Sequence, residues 1–187
     1  PQFFKLLPDG DKAYLQTFTN KFPVKKDHTN VAVLPSGERV MLLGVPTKKE
    51  WTHRKAILAA RRVVQVARKE RVKHISVCLE DLTVLNGRMS RLELAEVIAT
   101  QFVLANFEFV KYKTTPPEGW AFVEHVGVYT AQPPTGIAAA LEKGVVIGEE
   151  INHARILSNT PSGDMTPMKL AHEAMETGKR LGVHVKV

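Results

Sequence analysis

The stretch from Thr47 to Leu79 constrains the fold more than any other part of the chain. At about 100° per residue, Ala56, Ala59, Ala60, Val63, Val64 and Ala67 fall on one side of a helix, and Arg54, Arg61, Arg62, Gln65, Arg68 and Lys69 fall on the other. Thr47-Lys48-Lys49-Glu50 has the spacing of a capping box, with Thr47 as N-cap and Glu50 reaching back to its amide. A helix is therefore expected from there to about Arg71, its apolar side packed and its basic side in water. His74 to Leu79 follows as a short apolar run that reads as a buried strand. Helix and strand in alternation predict an α/β layer domain.

The flanks extend this pattern. Tyr14 to Phe18 alternates as a half-buried strand would, and Asn30–Leu34 and Val40–Leu43 flank the turn sequence Pro35-Ser36-Gly37-Glu38, which predicts a hairpin. Ser90-Arg91-Leu92-Glu93 is a second capping box, opening a helix with Leu94, Ile98, Phe102 and Ala105 on one stripe. Phe107–Tyr112 and Ala121–Tyr129 read as strands around the turn at Thr115 to Gly119. A further helix is expected after Pro133-Pro134-Thr135, running to about Ser158 with Ile137, Leu141, Val145 and Ile151 at helical spacing. Asn159-Thr160-Pro161-Ser162-Gly163 breaks the chain, Thr166 caps a last helix with Pro167 at its first position, and Gly182 ends it. Val183 to Val187 is expected as a strand. The reading is an α/β fold: a mixed sheet with helices on both faces over residues 1–134, a connecting helix over 135–159, and over 160–187 the start of a second α/β domain.

Composition enters mainly by exclusion. With 44% apolar and 24% charged residues and no low-complexity tract, the chain has the profile of a soluble globular protein. No apolar run approaches the ~18–20 residues of a membrane span, so no membrane is expected, and the first residues lack the pattern of a secretory signal. The one cysteine, Cys78, cannot form an internal disulfide, which fits a reducing cytoplasm, and its apolar setting suits an inert packing thiol. The formal charge of +7 attracts nucleic acid or anionic surfaces nonspecifically and bears on partners, not on fold.

Several residues imitate catalytic motifs. His172-Glu173-Ala174-Met175-Glu176 begins like the zinc-peptidase HExxH helix, but Glu176 stands where the second histidine must be. Ser158, His153 and Asp164 supply the residue types of a hydrolase triad, yet His153 and Ser158 diverge by about 140° on a helix. His28, His53, His125 and His184 are scattered and suggest no site, and Trp51 and Trp120 are expected to pack.

The segment Asn152 to Pro167, with Ala154-Arg155-Ile156-Leu157-Ser158-Asn159-Thr160-Pro161 followed by a short loop and Thr166-Pro167, resembles the domain junction of the leucyl aminopeptidase family. In that family a connecting helix ends in Ala-Arg-x-Leu-x-Asn-x-Pro, and a Thr-Pro helix start follows. Met168–Leu181 and Val183–Val187 also look like the first helix and strand of the family's catalytic domain, whereas residues before 135 match it only in the order of strands and helices. Arg155 near a helix C-terminus complements the helix dipole, Asn159 suits the point where the helix ends, and Pro161 prevents continuation. Arg155, Asn159, Pro161, Thr166 and Pro167 are accordingly read as a structural junction.

The resemblance implies a peptidase that removes residues from peptide amino termini, using two divalent ions, zinc or manganese, to activate a water and polarise the scissile carbonyl. Its lysine and carboxylate ligands lie in the carboxy-terminal domain, so no metal ligand, catalytic residue or bound cofactor is expected in this chain, and it is expected to be inactive alone. The resemblance further implies a hexameric parent protein, a cytoplasmic location, and a monomer or small oligomer for this portion. Because some members bind DNA, Arg54, Arg61, Arg62, Arg68 and Lys69 are candidate contacts for weak, nonspecific nucleic-acid binding. The family's amino-terminal domain also resembles the macro domain, so ADP-ribose is an alternative ligand, although the loops Asp81–Gly87 and Pro133–Gly136 each carry a single glycine.

Overall fold

A computed structural model describes residues 2–26, 28–45, 47, 50–83 and 89–187. Among them the chain forms a mixed α/β protein. Its first part pairs two helices, α1 (Gln2–Leu6) and α2 (Asp9–Lys21), with the strands β1 (Thr29–Val33) and β2 (Arg39–Leu43). The strands are an antiparallel hairpin with Thr29 opposite Leu43 and Val33 opposite Arg39. Gly37 allows its turn, adopting φ 87° where a side chain would be strained. Leu7, between the two helices, and Leu15 from α2 pack on Ala32, Leu34 and Val40 of the hairpin in a small core. The buried carboxylate of Asp11 accepts from the Ser36 amide and fastens α2 to the turn.

The expectation for Tyr14–Phe18 is corrected here, because these residues lie within α2. Tyr14, Phe18 and Phe22 are four residues apart, and their rings follow one another at centroid distances of 6.2 and 5.3 Å. Across only five residues, an alternation of period two also satisfies a spacing of four.

The second part holds the main core. α3 (His53–Lys69) leads into β3 (His74–Cys78) and the short α4 (Leu79–Thr83). α5 (Arg91–Asn106), β4 (His125–Tyr129) and α6 (Ile137–Asn159) complete it. β3 and β4 run parallel, with His74 beside His125 and Cys78 beside Tyr129. Ala60, Val64 and Ala67 from α3 meet Leu94, Ala95, Ile98 and Phe102 from α5, closed by Leu79, Val123 and Ile137. The expected mixed sheet is thus present as two separate pairs, one antiparallel and one parallel.

α3 starts later than its sequence suggests. Thr52 is its N-cap, accepting from the Lys55 amide at 3.3 Å. Lys48 and Lys49 lie outside the described residues, but Glu50 does accept from the Thr47 amide at 3.2 Å. The anticipated reciprocal contact therefore closes a turn one step ahead of the helix. Both halves of the Ser90–Glu93 capping box are formed, at 3.1 and 2.7 Å.

Phe107–Tyr112 is not a strand. The side chain of Asn106 takes over the pairing a strand would make, donating to the Val123 carbonyl at 2.8 Å and accepting from the Val123 amide at 3.0 Å. Val183–Val187 likewise forms no strand among the described residues, and only His125–Tyr129 of the expected Ala121–Tyr129 strand is one.

α6 packs on α5 through a face that apolar spacing reveals in part, since Ile137 is buried and Leu141 packs against the main core as expected. Gly144 and Gly148 are buried on the same helix, whereas Val145 and Ile151 are exposed. A Cβ on Gly144 would stand 2.3 Å from the Glu96 carbonyl, and one on Gly148 would stand 2.7 Å from the Val103 side chain. Thr100 fixes the register, since its hydroxyl contacts the carbonyls of Glu96 at 2.9 Å and Gly144 at 3.0 Å.

Candidate functional site

Four places among the described residues gather polar chemistry. The first is the end of α6 and the turn into α7 (Pro167–Leu181). Arg155 reaches sideways from α6, donating to the Leu104 carbonyl at 3.2 Å and to Asn152 at 2.9 Å, with its guanidinium 4.1 Å from the Phe107 ring centre. It binds helix α6 to the end of α5, where its sequence position suggested an interaction with its own helix end. Asn159 is the last residue of α6, and Thr160 closes the helix by donating from both its amide and its hydroxyl to the Ile156 carbonyl. Pro161 opens a tight turn whose carbonyl accepts from the amides of Asp164 and Met165. Thr166 caps α7 through the Lys169 amide at 3.3 Å, with Pro167 in its first turn. These contacts contain no nucleophile–base pair. Ser158 donates to the Arg155 carbonyl, and His153 faces Glu173 at 4.0 Å. Asp164 accepts from the Tyr112 hydroxyl.

The second place is the carboxyl end of the parallel strands. Glu80, only 4% exposed, accepts from Arg91 at 3.2 Å, from the Ala131 amide at 3.1 Å and from the Thr130 hydroxyl. Burial opposes its ionisation, but the hydrogen bonds from the Thr130 hydroxyl and the Ala131 amide help hold its carboxyl below the ordinary carboxylate range. Asp81 accepts from the amides of Gln2 and Phe3 and joins α1 to the main core. Cys78 is buried beside them, and burial pushes its thiol up, which suits an inert packing group. Neither carboxylate was singled out from the sequence, where Glu80-Asp81 resembles any polar start to a loop. Residues 84–88, with Gly87 of the candidate phosphate loop, lie outside the described residues.

The third is the basic face of α3, and the structure divides it. Arg61 donates to Gln101 at 2.7 Å. Arg68 donates to the Ala121 carbonyl at 2.8 Å, pairs with Glu108 and lies 5.1 Å from the Phe122 ring centre. Both therefore hold the fold together, Arg62 is half-buried, and Arg54 and Lys69 are exposed. The stripe is not one open cationic surface.

One group of His, Cys, Asp and Glu side chains converges to metal-ligand distances among the described residues: His74, Glu124 and His125. Its donors are two imidazoles and a carboxylate, which do not fit the lysine-and-carboxylate set implied for a two-metal peptidase centre. His172 and Glu173 on α7 remain a polar face, with His172 exposed.

Residues 19–116, just over half of the chain, match the family model described as the amino-terminal domain of the cytosol aminopeptidase family. The chain belongs to the cytosol aminopeptidase family. Curated relatives extend the match over most of the chain. A probable cytosol aminopeptidase of Rickettsia canadensis is 26% identical over 181 residues, covering 92% of this chain and 35% of the relative. One of Bacillus licheniformis is 27% identical over 175 residues, covering 94% and 34%. The chain thus spans about a third of the length of these relatives.

Among solved structures, the bottromycin maturation enzyme BotP in complex with Mn superposes with a TM-score of 0.71 at 20% identity, over 88% of this chain and 33% of that one. A mutant of tomato leucine aminopeptidase gives 0.69 at 20% identity, over 89% and 32%. The fold is shared at this level. The family model covers the part upstream of the junction motif, where sequence reading found only an order of elements.

Proposed function

We propose that this chain serves as the amino-terminal domain of a metal-dependent aminopeptidase that removes amino-terminal residues from peptides, and that it contributes to assembly or regulation and not to hydrolysis. The match of residues 19–116 to an amino-terminal domain carries this reading. In it, residues 1–134 are the domain, 135–159 the connecting helix, and 160–187 the beginning of the catalytic domain. The close seating of α6 on α5 and the exposure of α7 support that division. Arg155, Asn159, Pro161, Thr166 and Pro167 then set the course of the chain between the two domains.

The whole enzyme, in this proposal, works in the cytoplasm as a hexamer and holds two divalent ions, zinc or manganese, outside this stretch. The manganese named with BotP supports a divalent metal. The 187-residue chain should not hydrolyse an aminoacyl amide, with or without added zinc or manganese, and should scatter light as a monomer or small oligomer. Metal-dependent turnover by the pure chain would refute the non-catalytic role, and a hexamer would refute the assembly claim. Nucleic-acid affinity should be weak, independent of sequence and lost as salt rises, with Arg54 and Lys69 as its exposed contacts.

A further inference from the structure

We propose that His74, Glu124 and His125 form a binding site for one divalent ion of the zinc class on the parallel strand pair. His74 and His125 are partners at the first rung of β3 and β4. Residues paired in adjacent strands project to the same face, and here the two rings lie 4.7 Å apart between centroids at 37°. Glu124 comes directly before this rung. The amides of Glu124 and His125 both donate to the Lys73 carbonyl, at 2.7 and 3.0 Å, so the backbone under the donors is fixed.

One nitrogen from each ring and one carboxylate oxygen lie within 4.8 Å of one another. Zinc bonds of about 2.0–2.2 Å in a tetrahedron put donors roughly 3.4 Å apart, so the three must close by about an ångström. All three side chains are exposed, and rotamer changes can supply that movement without disturbing the core. Exposure also leaves a fourth position for water. Two imidazoles with a carboxylate suit zinc, copper or nickel, whereas magnesium and calcium prefer all-oxygen shells. Two adjacent imidazoles repel when protonated, and a shared cation turns that proximity into binding.

Lys73 is the competitor. Its ammonium lies 2.7 Å from one Glu124 oxygen and helps keep the carboxyl ionised, but it also places a positive charge beside the incoming ion. The site therefore makes a prediction that a general histidine-rich surface does not: removing Lys73 should tighten binding.

The test is calorimetric titration of the 187-residue chain with zinc chloride, beside His74→Ala, His125→Ala, Glu124→Gln, Lys73→Ala and His172→Ala, with cobalt absorption as a second readout. One zinc per chain is expected. Either histidine change should weaken binding by roughly tenfold or more, Glu124→Gln should weaken it less, and His172→Ala should leave it unchanged. Magnesium should not bind there. Cobalt should give the visible bands of a low-symmetry four-coordinate site, lost in His125→Ala. Absence of stoichiometric zinc binding overturns the proposal, as does equal loss from His172→Ala. Failure of Lys73→Ala to tighten binding removes Glu124 from the site and overturns the three-donor assignment. None of these outcomes depends on whether the chain hydrolyses peptides.

Discussion

α5 and α7 begin in the same way. Each has a hydroxyl residue at its N-cap accepting from the amide three positions on, and each follows the sequence signal closely. Their surroundings are opposite. α5 buries Leu94, Ala95, Ile98, Ala99, Thr100, Gln101 and Phe102 between α3 and α6. On α7 only Gly178 is buried, seated on Val183 and Val185 of its own tail, while Met168 is 81% exposed. The difference separates two sources of helix order. Caps and turn residues define where a helix starts, but the stability of the helix comes from the face it buries.

The sharpest way to break this comparison is truncation of apolar side chains. Ile98→Ala or Phe102→Ala should cost about 2–5 kcal/mol, and Met175→Ala or Leu170→Ala on α7 should stay within about 0.5 kcal/mol, read from urea midpoints. Equal losses would mean that α7 is integrated into the core.

Next in size is overpacking of the glycine face. Gly144→Leu or Gly148→Leu should destabilise by about 1–3 kcal/mol, because the side chain must displace backbone or Val103. Gly10→Ala, with open space at its Cβ, should instead stabilise slightly. A neutral Gly148→Leu would show that the two helices are free to separate.

Acid should also act unequally. The folded-state pKa of Glu80 lies below the ordinary carboxylate value, so the stability from its ionised form is complete above that value. It is lost as pH falls through the lowered folded value. An acid titration followed by fluorescence should therefore show a loss that Glu80→Gln abolishes, alongside its own baseline destabilisation. An unchanged titration in that variant would remove Glu80 as the cause.

The smallest effects concern the caps. Ser90→Ala should cost about 1 kcal/mol of global stability. Thr166→Ala should leave the midpoint unmoved and speed cleavage near Asn159–Asp164, where limited proteolysis of the parent sequence is already expected to cut first. First cleavage elsewhere would place the weakest segment outside the junction.

The parts of the fold legible in the sequence were those with local causes. Ser90–Glu93, the hairpin around Gly37, and the Thr166–Pro167 start and Gly182 stop of α7 are all settled within a few residues of backbone. The missed parts depended on distant partners. Asn106 replaces a strand pairing with its side-chain amide, and nothing local marks Phe107–Tyr112 as unpaired. Apolar spacing along α6 found Ile137 and Leu141 but also pointed to the exposed Val145 and Ile151, because a face built from Gly144 and Gly148 carries no hydrophobic signal.

The site was read unevenly for the same reason. The junction residues form a contiguous motif, but the use of Arg155 on α5 and Phe107 required the fold. Arg61 and Arg68 share a helical stripe with Arg54, yet their partners lie about forty to fifty residues away. His74 and His125 are separated in sequence by α4, α5 and the segment after α5, and only the parallel register brings them together.

The glycine seat has a mechanical consequence. α6 has 23 residues and, at 1.5 Å per residue, is a beam roughly 35 Å long, clamped along Gly144 and Gly148 and pinned against sliding by Thr100. Beyond the clamp, Asn152 and Arg155 tie the same helix to the Val103 and Leu104 carbonyls of α5, so the beam is held along most of its length although Ile151 and Ile156 on its outer side are exposed. α5 and α6 therefore behave as one stiff unit, and the direction in which the chain leaves at Asn159 is set by how the two helices seat.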